Sequence, residues 1–347
     1  MTNTMIFAFP GDLATNSGGY AYDRHVLFEM GKLGWSVSPL PLGAGFPFPT
    51  ATTQLDAERL LSSLPDDTLV LIDGLAFGVL HEWAEREEKR LKIIALVHHP
   101  LALETGLEPA DRLRLEVSER LALKAARHVI VTSPATARTL EGSYEVPSER
   151  ITVAVPGTEP ATRVPSRDEV PHIVSVGSLI RRKGHDVLLH ALDRLRDLSW
   201  RATIAGSETL DPATATQIRA LVKDLALQDR VAMTGELADV RELMATADIF
   251  ALASRYEGYG MVFAEALAHG LPIVACRAGA VPEVVAHDAG ILVEVDDVEA
   301  FADALRRLIL DHDLRQQFGH AAAEAGARLP GWGDTARIIS QKLRDVA

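Results

Sequence analysis

Short apolar runs, each followed by a helical pattern, recur along the whole chain, and that alternation admits few folds. In the first half the runs are Ile6–Phe9, Val37–Leu40, Leu69–Ile72, Ile93–Val97, Val129–Thr132 and Ile151–Val155. In the second half they are Ile173–Val176, Ala202–Ala205, Val231–Thr234, Ile249–Leu252 and Ile273–Cys276. A strand without polar alternation is covered on both faces, and strands spaced by helices pair in parallel. Residues Gly157–Val170 interrupt the series with prolines and polar residues and read as a linker. The strand–helix units restart at Ile173. The expected fold class is α/β, with two Rossmann-like, doubly wound parallel-sheet domains, residues 1–165 and 168–331, facing a cleft. Residues 332–347 form a last helical pattern after the break at Pro330–Gly331, expected to return to the first domain. Ligands of such sheets bind beyond the carboxyl ends of the strands.

The chain length fits this reading, because 347 residues are long for one core and comfortable for two. A net charge of −13 argues against a nucleic-acid partner, whose phosphates it would repel. The single cysteine, Cys276, excludes an intrachain disulfide framework and cysteine-rich metal sites. At the end of the run Pro272–Cys276 it reads as a small buried residue, not a nucleophile. No apolar run approaches the ~18 residues that span a bilayer. Met1–Pro10 lacks the basic start of a secretory signal and looks like a first strand, so a cytoplasmic location is expected.

The segment Ser254–Val274 offers three kinds of contact to one ligand. Glu257 brings a carboxylate from a Gly-rich turn, the backbone of Tyr259, Gly260, Met261 and Val262 brings the N–H groups of a helix start, and Glu265 brings a second carboxylate one turn later. Helix-start N–H groups suit a diphosphate, and ionised carboxylates suit sugar hydroxyls. A nucleotide-sugar carries both. In the second half, the loop after Ile173–Val176 runs from Gly177 to Gly184 and encloses Arg181, Arg182 and Lys183. Arg182 offers a planar fork for phosphate oxygens and Lys183 a compact charge, although such a cluster also occurs as a solvated surface loop. Near the N-terminus, Gly18 and Gly19 open a helix carrying Val26, Leu27, Met30 and Leu33. That pair is either a tight turn or a place where a ligand meets the backbone. His98 and His99 end the run Ile93–Val97 on the cleft side, where an imidazole can contact a phosphate or hydroxyl, move a proton, or serve structure alone. Adjacent residues of an extended chain point to opposite faces, so one of the two is expected to face the cleft.

Other chemistries find no support. Asp311-His-Asp313 has the D-x-D pattern of a cation site but lies between two helical patterns, where Asp313 reads as an N-cap. No H-E-x-x-H, P-loop or G-x-S-x-G motif is present.

The paired glutamates Glu257 and Glu265, followed by Ala266-Leu-Ala-His-Gly270-Leu-Pro-Ile-Val-Ala, resemble the retaining glycosyltransferases of family 4, which share the two-domain GT-B fold. Asp239–Asp248 and Ser254 upstream, Gly279–Val285 downstream and Gly177–Gly184 extend the resemblance over most of residues 170–310. It is weaker in the first half, where Gly18-Gly19 and His98 occupy the expected places. The resemblance implies that Glu265 holds the ribose hydroxyls and Glu257 the donor-sugar hydroxyls. The diphosphate would fall to Tyr259–Val262, Arg182 and Lys183, with Gly19 close to it or to the acceptor and His98 near the donor sugar. It further implies a UDP-, GDP- or ADP-sugar donor, a hydroxyl acceptor, retention, and no metal or other cofactor. This chain departs from the family pattern at Ser178, where arginine is common, at Ala278-Gly279-Ala280, where a Gly-Gly pair is common, and at His99, where aspartate often follows the histidine. Other readings of the same fold are a phosphorylase, a sugar-nucleotide epimerase or a non-catalytic nucleotide-sugar binding protein. The helical stretch Asp111–His128 mixes Arg112, Arg114, Arg120, Lys124 and Arg127 with leucines, as in relatives that touch membranes, but Glu116 and Glu119 dilute that signal and favour an ordinary packed helix.

Overall fold

The computed structural model describes residues 3–162 and 170–346. It divides into two compact units, Met1–Gly157 with Pro330–Ala347, and Thr158–Leu329. The sequence-derived boundaries at 165 and 168 fall among residues outside the described set, as does half of the linker.

In the first unit, strands β1 (Asn3–Phe9), β2 (Trp35–Pro41), β3 (Leu69–Asp73), β4 (Lys92–Val97), β5 (His128–Val131) and β6 (Ile151–Val153) form one sheet in the order β2-β1-β3-β4-β5-β6. Every pairing is parallel. The runs Leu69–Ile72 and Ile93–Val97 are buried along their whole length, because helices cover both faces. The helices start where the sequence supplies caps: Ser17 before Gly18–Lys32, Thr50 before Ala51–Ser62, and Ser133, with proline next, before Pro134–Ser143. The C-terminal helix Trp332–Val346 belongs to this unit. Its Trp332 ring stacks on His25 at 4.3 Å, its Ser340 accepts from Trp35 Nε1 at 2.9 Å, and its Thr335 donates to Val155 O at 2.8 Å. Gly157 is required there, since a Cβ at that position would lie 2.2 Å from Trp332 N.

The second unit holds β7 (His172–Val176), β8 (Arg201–Ala205), β9 (Val231–Gly235), β10 (Ile249–Leu252), β11 (Ile273–Cys276) and β12 (Gly290–Val293), in the order β12-β11-β10-β7-β8-β9 and parallel throughout. Read from β9, this is the dinucleotide-fold order 3-2-1-4-5-6, whose direction of winding reverses between β7 and β10. The loops after β7 and β10 therefore flank the switch point, where such sheets bind ligands. β12 is an addition to the sequence reading. Its run Gly290–Val293 follows Asp288-Ala289 directly, with no helical pattern of its own to announce it.

Cys276 is buried, and burial pushes its thiol up to about 12, so it is a packing residue in the β11 core. One sequence expectation changes: the cap of helix His312–Gly326 is Asp311, whose side chain accepts from Leu314 N at 2.9 Å, and Asp313 lies inside the first turn. Among the described residues no helix is long and apolar enough to cross a membrane.

Candidate active site

Three loops at the carboxyl ends of β7, β10 and β11 build the second unit's site. After β7 the chain turns through Gly177 and a short 3-10 turn, Arg181–Lys183, into helix His185–Asp193. Gly177 carries no side chain because Lys183 lies on it: a Cβ there would sit 3.3 Å from Lys183 Cδ. His185 Nε2–H donates to Gly177 O at 3.1 Å, and burial pushes its imidazole down to about 4, so it stays neutral. Gly184 adopts φ +64, and a Cβ there would meet Ala253 O at 1.9 Å. The basic turn thus rests directly on the end of the β10 loop.

That contact puts cations against an acid. Lys183 Nζ lies 2.6 Å from Glu257 Oε1, and Arg182 Nη1 lies 3.4 Å from Glu257 Oε2 and donates to Tyr256 O at 2.9 Å. Ser254 Oγ donates to Glu257 Oε1 at 2.6 Å. Both cationic side chains are 15% exposed, so this is no solvated loop. Burial alone would raise the Glu257 carboxyl, but the charges of Lys183 and Arg182 and the bonds from Lys183 and Ser254 win and hold it below its ordinary value. The β11 loop fixes Glu257 from behind: Ala280 N donates to Glu257 O at 2.9 Å, and Gly279, at φ +57, admits that carbonyl where a Cβ would approach to 2.2 Å.

Gly260, at φ +93, then turns the chain into helix Met261–Ala268. The N–H groups of Met261 and Val262 belong to the first turn and have no intrahelical acceptor. Tyr259 is buried beside them. Glu265 lies one turn on, partly buried, and burial pushes its carboxyl up to about 7 against the lowering charges of Arg241 and Lys183.

The structure thus gathers Gly177, Arg182, Lys183, Glu257, Tyr259, Gly260, Met261, Val262 and Glu265 in one unit. Gly18, Gly19 and His98 group separately in the other. There, Gly19 opens its helix against the His98 ring, where a Cβ would lie 3.4 Å from Cδ2. The two histidines turn to different partners: His98 Nε2 lies 3.2 Å from Asp23 Oδ1 and His99 Nε2 3.5 Å from Glu104 Oε2. The helix Pro109–Ala125 buries Leu115, Ala122 and Leu123 and exposes Leu113, Val117 and Leu121.

Sequence reasoning missed Arg255. Its N–H donates to Arg182 O and its Nη1 to Arg181 O, both at 2.7 Å, while Nη2 bonds Asp186 at 2.7 Å. It clamps the basic turn, and its place two residues before Glu257 was the available signal. Asp23 and Asp73 were also missed; the signal for Asp73 was a carboxylate ending an otherwise apolar strand.

Two doubly wound parallel sheets, one ending in a basic turn, a buried glutamate and a helix tip, define a GT-B protein. The chain belongs to the family 4 glycosyltransferases: the profile described as Glycosyl transferases group 1 matches residues 161–325, and that described as Glycosyltransferase Family 4 matches residues 31–162. It is 31% identical over 264 residues to a D-inositol 3-phosphate glycosyltransferase of Paenarthrobacter aurescens, across 71% of this chain and 64% of that protein. The match therefore spans somewhat less than two thirds of that relative's length. Among solved structures it resembles a sucrose-phosphate synthase from Thermosynechococcus elongatus (TM-score 0.83, 21% identity, 98% of each chain). It also resembles Anabaena HepE in complex with UDP and glucose (TM-score 0.78, 18% identity, 98% of this chain and 99% of that one).

Proposed function

We propose that the chain is a retaining hexosyltransferase that moves a sugar from a UDP-, GDP- or ADP-sugar to a hydroxyl acceptor without a metal ion. The observation that carries this is the packing of Arg182, Lys183 and Glu257 beside the start of helix Met261–Ala268. Two cations and a set of backbone N–H groups face a diphosphate, and in glycosyl transfer its negative charge grows as the glycosidic bond breaks. Positive charge from Arg182 and Lys183 at that point supplies what a divalent cation supplies elsewhere. Glu257 has a double task in this reading. It already accepts from Ser254, Lys183 and Arg182, which fixes the cations, and a carboxylate's remaining lone-pair capacity is left for a sugar hydroxyl. Glu265 takes the ribose hydroxyls. Retention and the roles of Gly18, Gly19 and His98 as ligand contacts of the first unit rest on the family resemblance. The UDP and glucose bound by the HepE structure make a uridine donor the first to try.

A thermal-shift panel of UDP, GDP, ADP and their sugars tests the donor class. A ligand at 100 times its Kd stabilises by about 2.7 kcal/mol; no shift from any of them sinks the reading. Steady release of the nucleoside diphosphate from the active donor, with an acceptor present, separates an enzyme from a binding protein.

Glu265 supplies a pH test. Its raised carboxyl is neutral on the acid side of about 7 and must ionise to accept strongly from a ribose diol. Affinity for a nucleotide-sugar, whose diphosphate is esterified at both ends and does not titrate here, is expected to rise with pH through about 7 and then level off. Glu265→Ala should lower affinity roughly 10- to 100-fold and abolish that dependence. A variant that keeps the wild-type slope would move the titrating group elsewhere.

A further inference from the structure

The first unit contains a cluster that the proposed transfer chemistry does not use. Asp23, from helix Gly18–Lys32, and Asp73, at the end of β3, are both buried, and both approach one nitrogen of His98 at the end of β4. His98 Nε2 lies 3.2 Å from Asp23 Oδ1 and 3.7 Å from Asp73 Oδ2. These three are the one group of metal-ligand type among the described residues. Asp73 cannot turn away, since it caps the following short helix and its Oδ1 accepts from Leu75 N at 2.7 Å. Asp23, Asp73 and His98 bring ligand atoms within 4.8 Å of one another, and two buried carboxylates that close repel when both are ionised, so one of them favours keeping its proton. Asp23 Oδ2 is buried with no hydrogen-bond partner among the described residues.

Among the described residues, the charges that act on His98 are those of Asp23 and Asp73. On the same helix Tyr22 meets the His98 ring edge-on at 5.3 Å, and Tyr20 donates to Pro10 O at 2.7 Å, its phenol pushed up to about 12 by burial and by the charges of Asp73, Asp23 and Asp12. Beyond the end of β5, Thr132 donates to His98 O at 3.0 Å. Next along the chain, His99 faces Glu104. With the Asp73 carboxyl raised, the two acids together carry close to one negative charge, which an imidazolium neutralises.

We propose that Asp23 and Asp73 are positioning residues that fix the His98 ring and keep it protonated on both nitrogens, so that Nδ1 offers a bound sugar or phosphate a hydrogen-bond donor. A neutral ring bonded to Asp23 through Nε2–H would present an acceptor at Nδ1, so the carboxylate pair decides which partner His98 suits. The direction of titration agrees: burial disfavours the cation, but the Asp23 charge and hydrogen bond, then the Asp73 charge, outweigh it and raise His98 above its ordinary value. For Asp73, burial and then the Asp23 charge push the carboxyl up to about 7. That His98 borders the substrate rests on the proposed function; its charge state does not.

The test is long-range proton–nitrogen NMR on the intact, ligand-free, 15N-histidine-labelled chain, with His98→Gln identifying the signal. His98 is expected to titrate with a midpoint above the ~6.5 of a free histidine, both nitrogens carrying protons on the acid side of it. Asp23→Asn should lower the midpoint, and Asp73→Asn should lower it by less, since the Asp23 charge and hydrogen bond outweigh the Asp73 charge. The Asp73 variant serves if the Asp23 variant does not fold. A midpoint at or below the ~6.5 of a free histidine, an unmoved midpoint in the variants, or selective bleaching of the His98 signal by added Mn2+ at stoichiometric level would overturn the proposal. The same variants should shift the alkaline limb of kcat downward. If the NMR shifts appear while no nucleotide-sugar binds, the site reading fails and the cluster stands.

Discussion

Lys183→Ala is expected to lower kcat by roughly 10²- to 10³-fold while KM for the donor changes far less. The timing of the charge decides this. In the ground state the diphosphate of a sugar nucleotide has one charge on each phosphate; as the glycosidic bond breaks, the leaving phosphate gains another. A cation that meets the growing charge stabilises the transition state more than the bound donor, and such differential binding appears in kcat. Lys183 is placed for this by its stem on Gly177 and its ammonium 2.6 Å from Glu257. Removing it also strips Glu257 of the largest influence that keeps its buried carboxyl ionised, so the variant's Glu257 should titrate upward. Turnover equal to wild type in a variant that melts normally would remove Lys183 from the chemistry.

Gly184→Ala should have the largest effect on stability, a loss of about 3 kcal/mol or more. Two costs combine. The residue sits at φ +64, which L side chains rarely adopt, and an added Cβ would lie 1.9 Å from Ala253 O, so backbone has to move. The movement would separate the basic turn from the Glu257 loop, and donor binding should fall with stability. Gly142→Ala is the control: its Cβ would meet nothing within 4 Å, and it lies in helix Pro134–Ser143. It should be neutral or stabilise by up to ~1 kcal/mol. Urea unfolding of both variants measures the difference, and equal midpoints would contradict the close packing of the two loops.

Much of this was legible because parallel strands buried on both faces must be apolar throughout, which marks them in any sequence. Eleven of the strands announced themselves that way, and the glycines around Arg182–Lys183 and before Met261 marked where backbones crowd. β12 was hidden because only a one-turn helix, Val281–Val284, precedes it, too short to show a helical period in the sequence. What sequence could not give was partnership across long separations. Lys183 and Glu257 are 74 residues apart, and His98 and Asp23 are 75 apart; nothing local tells either acid which base it will meet. The role of Glu257 changed for that reason. From sequence it was a free carboxylate waiting for sugar hydroxyls, whereas in the fold it is committed first to holding Lys183, Arg182 and Ser254. Arg255 was overlooked because its one sequence signal is its place two residues before Glu257, while the groups it donates to, the Arg181 and Arg182 carbonyls and Asp186, lie about seventy residues away.

The most direct measurement of the central claim is a crystal structure of the chain with a nucleoside diphosphate bound. The account predicts phosphate oxygens within hydrogen-bonding distance of Arg182, Lys183 and the N–H groups of Met261 or Val262, with the ribose hydroxyls on Glu265. Phosphates bound elsewhere on the molecule, with Lys183 still closed on Glu257 and Glu265 free of the ribose, would contradict it.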